Sequence, residues 1–217
     1  VNVVAADLEG TLTTGETWRG IAAWMQAHGR AGAYRAFLFR ELPGVLFTRL
    51  GLRDRRAFQD GFMERAARLL AGLDQEGLAR VAEWVVSTEL WPKRRPEVLD
   101  ELWAAQQQGR RVVLCSATYQ PVLEAFARRM GEGVVALGTP LVMEGGVFSG
   151  RLEGPVRSGV HKAVQIREFL RGEALYAAYG DTLSDLALLE LAEHPVAVYP
   201  EAALQAVARM RGWRVIG

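Results

Sequence analysis

Two carboxylates interrupt the first apolar stretch of this chain. In VVAADLEGTLT (3–13) the run Val3 to Ala6 stops at Asp7, and Glu9, Gly10 and Thr11 follow at once. The pattern recurs twice. RRVVLCS (110–116) ends at Ser116, and ALYAAYGD (174–181) ends at Asp181, with Asp185 four residues on. Short continuous apolar runs suit strands buried on both faces. In open α/β sheets, ligands bind beyond the carboxyl ends of such strands. One Asp after a strand is an ordinary cap or turn residue; three polar strand ends converging would make a site. Clustered carboxylates repel one another and call for a cation. Oxygen ligands favour a hard ion, Mg²⁺ first, which keeps waters and takes a phosphate oxygen. Only two of the 26 basic residues are lysines, Lys93 and Lys162. Lys162 and Ser116 could hold the other phosphoryl oxygens.

The elements that must position these groups fall into two textures. Residues 14 to 89 read as all-helical. Trp18, Ile21, Ala22 and Met25 form one apolar stripe; Phe58, Phe62, Ala66, Leu69 and Leu70 form another; Leu78, Val81, Ala82 and Val85 form a third, with Asp74 as its N-cap. Residues 31–52 read as one or two short helices broken at Pro43-Gly44. From residue 90 strands and helices alternate, with a hairpin turning at Gly145-Gly146. Alternation predicts a doubly wound (Rossmann-like) parallel sheet with helices on both faces. The first strand joins that sheet. The expected organisation is an α/β core, 1–13 and 90–217, with a helical cap, 14–89, inserted after the first strand.

Composition excludes several classes. The 217 residues carry 26 Lys and Arg against 25 Asp and Glu, so the charge balance does not call for nucleic acid. One cysteine, Cys115, permits no internal disulfide and favours a reducing, cytoplasmic setting. No secretory leader is evident and no transmembrane segment is expected. His28, His161 and His194 show no metal-ligand spacing.

The motifs DLEGTLT (7–13), LCSAT (114–118), GVHKA around Lys162 and YGDTLSD (179–185) resemble, in order and spacing, the four motifs of the haloacid dehalogenase-like phosphatases. SGRLEGPVRSGVHKA (149–163) and Gly212-Trp213 before a late strand look like subfamily IB, which includes phosphoserine phosphatase relatives. The resemblance spans nearly the whole chain and is weak in the helical insertion. It implies a phosphomonoesterase acting on a small phosphate ester such as phosphoserine, with lipid phosphates or transfer to an alcohol as alternatives. Asp7 would be the nucleophile that forms an aspartyl-phosphate, and Glu9 the general acid and base. Mg²⁺ would be held by Asp7, Asp181 and the main-chain carbonyl of Glu9. Asp185 would support the metal, Thr11 would orient the acid/base loop, and Ser116 and Lys162 would bind the phosphoryl group. One departure stands out: most phosphatases of the family carry Asp where Glu9 stands. Glu reaches roughly 1.3 Å farther. Glu9 reads as a working acid/base with altered geometry, the alternative being a damaged site in a non-catalytic relative.

Three positions carry open readings for substrate contact. Glu16 could meet a substrate amine, or close a capping box with Thr13. Arg65 shares an apolar helical face with Phe58, Phe62 and Leu69; it could meet a substrate carboxylate, pair with Glu16, or snorkel. Thr118 could touch ligand or cap the helix near Pro121. The segment 33–52, with Phe37, Leu38, Val45, Leu46 and Phe47 beside Arg35, Arg40 and Arg49, could lie against a membrane surface, pack within the cap, or form a dimer contact. A non-enzymatic alternative is a receiver-like module or a phosphate-binding pseudoenzyme. The length and the position of Asp7 after the first strand argue against a receiver.

Overall fold

The computed structural model describes residues 3–52 and 54–217; the side chains of Arg49, Arg55 and Arg56 lie outside the described set. The expectations for Val1, Asn2 and the Arg49 side chain therefore fall outside the described residues. Strand β1 (Val3–Ala6) leads into four helices: α1 (Thr17–Ala27), α2 (Ala31–Arg49), α3 (Arg55–Ala67) and α4 (Gln75–Val85). Next come α5 (Pro96–Gln107), β2 (Arg111–Tyr119), α6 (Gln120–Met130), β3 (Val135–Thr139) and a hairpin of β4 (Leu141–Glu144) and β5 (Val147–Leu152). The last stretch holds α7 (Val160–Leu170), β6 (Leu175–Gly180), the short α8 (Leu186–Leu189), β7 (Ala192–Val198), α9 (Ala202–Arg211) and β8 (Arg214–Ile216).

Six strands form one sheet in the order β3-β2-β1-β6-β7-β8, every neighbouring pair parallel. This is the α/β class that the alternating texture predicts. Successive side chains of a strand face opposite ways, and β1 shows it: Val4 and Ala6 join a core with α5 and α6, while Val3 and Ala5 join another with α7, α8 and α9. Strand order reverses around β1, so the crevice beyond its carboxyl end is the topological switch point. Asp7, Ser116 and Asp181 belong to the three adjacent strands there.

The local readings fare unevenly. Asp74 does cap α4, accepting from Gly77 N at 2.7 Å. Gly145 and Gly146 turn the hairpin with φ of 57° and 83°, the left-handed pair that a two-residue turn needs. The expected break at Pro43 is absent, and α2 runs through it. A mid-helix proline costs about 3 kcal/mol locally. Tertiary contact outweighs it: Tyr34, Phe37 and Glu41 are buried on the inner face, and Glu41 is tied to Arg65 of α3. Strand β2 also passes its expected end at Ser116 and reaches Tyr119, with a register shift between Cys115 and Tyr119.

The helices α1–α4 leave and re-enter the sheet along paired linkers. Thr14 N donates to Lys93 O at 3.0 Å, Arg95 N to Leu12 O at 2.7 Å, and Thr13 Oγ1 to Leu90 O at 2.6 Å. The hairpin β4–β5 stands apart from the main sheet and is laced to the segment before α4. Gly72 N donates to Phe148 O, and Phe148 N to Leu73 O.

Candidate active site

Asp7 is the first residue beyond β1, with its N–H bonded to Tyr179 O of β6. Lys162, from the first turn of α7, reaches it: Nζ donates to Asp7 Oδ1 at 2.8 Å and to Asp185 Oδ1 at 2.5 Å. All three side chains are buried. Asp185 Oδ2 accepts from the N–H groups of Asp181 and Thr182 and from Thr182 Oγ1, each at 3.2 Å. Those bonds close a capping box and fix the loop that carries Asp181. Asp181 Oδ1 in turn accepts from Thr11 Oγ1 at 3.0 Å. Gly10 has φ +88°, and a Cβ there would stand 2.1 Å from Asp181 Oδ2. A side chain at position 10 and the Asp181 carboxylate cannot share that space. That is why a glycine sits beside the paired acids.

One oxygen from each of Asp7, Asp181 and Asp185 lies within 4.8 Å of the others. Burial raises the pKa of Asp7, with Lys162 acting against it. Burial, then repulsion from Asp7 and Asp185, pushes Asp181 up to about 8. When all three acids are ionised they face one ammonium, which leaves two negative charges to be matched. An all-oxygen donor set with that deficit fits a hard divalent cation.

Glu9 sits differently. Its Oε1 accepts from Thr118 Oγ1 at 2.8 Å and from Thr17 N, at the start of α1, at 3.0 Å. Burial raises its pKa, and those two donors partly lower it. A carboxyl partly withdrawn from water, with no cation beside it among the described residues, holds its proton more firmly than one in water. Thr118 therefore neither caps α6 nor points freely into solvent. Its hydroxyl holds Glu9 and lies 3.3 Å from Thr17 Oγ1. Ser116 is buried, and its Oγ accepts from Thr118 N at 3.4 Å.

Asp7, Glu9, Ser116, Thr118, Lys162, Asp181 and Asp185 all line one cavity of ≈ 620 Å³. Thr11 stands behind it, bonded to Asp181. The opposite wall comes from the helical insertion: Trp18, Leu38, Leu42, Val45, Phe58, Phe62 and Met63 are apolar, and Glu16, Glu41 and Asp60 are acidic. Glu16 forms no capping box. It pairs with Arg19 at 2.5 Å, while Thr13 Oγ1 accepts from Gly15 N. Arg65 does not line this cavity. Its Nε and NH2 both donate to Glu41 at 2.6 Å, so its ion-pair partner is Glu41 rather than Glu16.

Sequence reasoning missed Glu41, Asp60 and Ser158. Ser158 Oγ donates to Asp60 Oδ1 at 2.9 Å, joining α3 to the loop before Lys162. Glu41 had one visible signal: it is the only acid in the arginine-rich stretch 31–52. The Asp60–Ser158 contact spans 98 positions and leaves no local trace. Cys115 is buried, and burial pushes its thiol pKa up, so it is unreactive.

Residues 4–190 match the haloacid dehalogenase-like hydrolase family. The chain is 29% identical over 232 aligned positions to phosphoserine phosphatase SerB1 of Mycobacterium tuberculosis (strain ATCC 25618 / H37Rv), covering 96% of this chain and 68% of that one. A solved structure of a protein of unknown function from Bordetella pertussis Tohama I superposes with a TM-score of 0.82 at 25% identity, over 99% of this chain and 97% of that one. A phosphoserine phosphatase solved as a phospho-aspartyl intermediate analogue shares the fold, with a TM-score of 0.63 at 15% identity, over 99% of this chain and 92% of that one. With its four motifs gathered at the switch point and its sequence matched over 4–190, the chain belongs to the haloacid dehalogenase-like hydrolases.

Proposed function

We propose that this protein is a magnesium-dependent phosphomonoesterase working through an aspartyl-phosphate on Asp7. The observation that carries this reading is the meeting of Asp7, Glu9, Ser116, Lys162 and Asp181 around one cavity. Asp7, Asp181 and the Glu9 main-chain carbonyl would hold Mg²⁺, which when bound screens the carboxylates from the incoming phosphate and aligns them with phosphorus. A carboxylate oxygen of Asp7 attacks phosphorus, and the bond from phosphorus to the leaving oxygen breaks. Glu9 gives its proton to that leaving oxygen. Glu9, now a carboxylate, takes a proton from water, whose oxygen attacks the phosphorus of the aspartyl-phosphate. Phosphate leaves and Asp7 is restored. Ser116 Oγ and Lys162 Nζ bind the phosphoryl oxygens, while Asp185 holds Lys162 and the 181–182 loop in place. Helices α1–α4 act as a cap that closes on the core about the paired linkers at 12–14 and 93–95, excluding water. Transfer to an alcohol in place of water would use the same aspartyl-phosphate.

Turnover of p-nitrophenyl phosphate with Mg²⁺ tests this. We expect Asp7→Asn and chelation each to abolish it; a variant at Asp7 that keeps wild-type turnover ends the proposal. The name of the mycobacterial relative makes phosphoserine the first small substrate to try. The cavity favours a second reading. Seven apolar residues face the reacting groups, and Arg65, the residue available for a substrate carboxylate, is occupied by Glu41. A leaving group without a carboxylate and with an apolar body, such as the glycerol acyl ester of lysophosphatidate, matches that wall better. Comparing kcat/KM for phosphoserine and lysophosphatidate decides between them.

A further inference from the structure

Helix α2 has apolar residues all round, yet only part of it packs. Tyr34, Phe37 and Glu41 are buried. On the opposite side Phe39, Leu42, Pro43, Leu46 and Leu50 follow the i, i+3, i+4, i+7, i+11 spacing of one helical face and are exposed. Phe39 is 73% exposed and Leu50 61%. Among the described residues, six of the eight large apolar side chains more than half exposed lie between Phe39 and Leu52. A continuous apolar stripe of that kind implies a partner.

Charge says which partner. Residues 30–56 contain seven arginines against two acids, in a chain whose formal net charge is +1. One of the two acids, Glu41, is buried against Arg65. Arg35 and Arg40 are exposed beside the stripe. A second copy of the chain packed face to face by a two-fold axis would bring two arginine-rich faces together, with no exposed acid of α2 to pair with them. No helix among the described residues is long and apolar enough to cross a membrane. Arg35, Arg40 and Glu41 interrupt α2, so it suits the plane of an interface.

We propose that the exposed face of α2 docks on a lipid bilayer carrying anionic headgroups. The stripe enters the bilayer surface and the flanking arginines meet lipid phosphates. Two features of the helix flanks accord with this. Leu42 belongs both to the stripe and to the wall of the catalytic cavity, so docking brings that cavity to the lipid surface. On the other flank, a cleft of ≈ 730 Å³ between α2 and α3 is lined by Phe37, Arg40, Phe47 and Arg68, a mixed apolar and cationic lining. Docking does not depend on which phosphate ester is hydrolysed.

Co-sedimentation of the full chain with vesicles tests the proposal, comparing phosphatidylcholine alone with phosphatidylcholine containing about one third phosphatidylglycerol. We expect roughly tenfold more protein bound to the anionic vesicles, falling as salt is raised from about 0.1 to about 0.5 M. Leu46→Glu combined with Leu50→Glu should reduce binding roughly tenfold. Turnover of p-nitrophenyl phosphate in that variant should remain within about twofold, which reports an intact fold. Arg35→Gln with Arg40→Gln, which leaves the apolar stripe whole, should lower binding to anionic vesicles alone. Equal binding to both vesicle types, binding to neither, or a dimer that Leu46→Glu dissolves without lipid would each overturn the proposal.

Discussion

Glu9 is the residue whose surroundings most directly imply its chemistry. It is half-buried with no neighbouring cation among the described residues, and its two donors, Thr118 Oγ1 and Thr17 N, both fall on Oε1. Burial raises its pKa while the donors pull the other way. This is the environment that the proposed role asks for, that of an acid still holding its proton when substrate arrives. Its extra methylene relative to Asp is taken up by reaching the first turn of α1. Thr118→Val removes one of the donors that stabilise the charged form, so the Glu9 pKa should rise further. The alkaline limb of kcat/KM against pH, where Glu9 loses the proton it must donate, should move to higher pH. An unmoved limb, with turnover otherwise normal, would mean that another group supplies the proton.

At the scale of elements, the bidentate Arg65–Glu41 bond stitches α3 to α2. Glu41 is almost wholly buried and Arg65 about one-third exposed. Burying a charge is tolerable only with its partner present. Arg65→Met therefore leaves the Glu41 carboxylate stranded, and we expect a loss of about 1–3 kcal/mol in urea unfolding. The same variant separates structure from recognition. If Arg65 stays with Glu41 during turnover, KM for phosphoserine should change by less than about threefold. A tenfold rise in KM at unchanged stability would return Arg65 to the substrate.

Across the whole molecule, the acid cluster ties stability to pH and to metal. Asp181 stands at about 8 in the fold against 3.8 for the ordinary side chain, and Asp7 is raised in the same sense. A group whose folded pKa is raised binds its proton more tightly in the native state. Its stabilisation is complete below the unfolded value and is lost as pH climbs through the folded one. The metal-free protein should therefore lose stability between about pH 4 and pH 8 from this cluster. Lys162 is raised too, but from 10.5, so its contribution persists across that window. A divalent cation binds the deprotonated acids and should reverse the loss. In thermal scans, Mg²⁺ should raise Tm over the chelated protein by roughly 3–8 °C at pH 8, and by less at pH 5.5. No shift at pH 8 would remove the metal from the site.

The sequence by itself determined the parallel α/β sheet and the acids that follow β1 and β6, though it stopped β2 at Ser116, short of its end at Tyr119. A buried strand must be a short apolar run, and a close approach between loop and carboxylate demands glycine at position 10. Apolar runs and the polar residues that end them lie within a few residues of one another, so DLEGTLT, LCSAT and YGDTLSD could be read directly, whereas the approach of Gly10 to Asp181 joins positions far apart in the chain. Tertiary structure alone decided the rest. Helix α2 survives Pro43 because contacts on its inner face outweigh a local penalty. Arg65 chose Glu41, 24 residues away, over Glu16, and Asp60 found Ser158 across 98. Side-chain pairs between separate elements depend on how those elements pack, and packing is set by the summed burial of many residues rather than by any local pattern. The exposed face of α2 is the same lesson from outside: the pattern said apolar, and only the packed molecule showed which half of the helix the protein leaves uncovered.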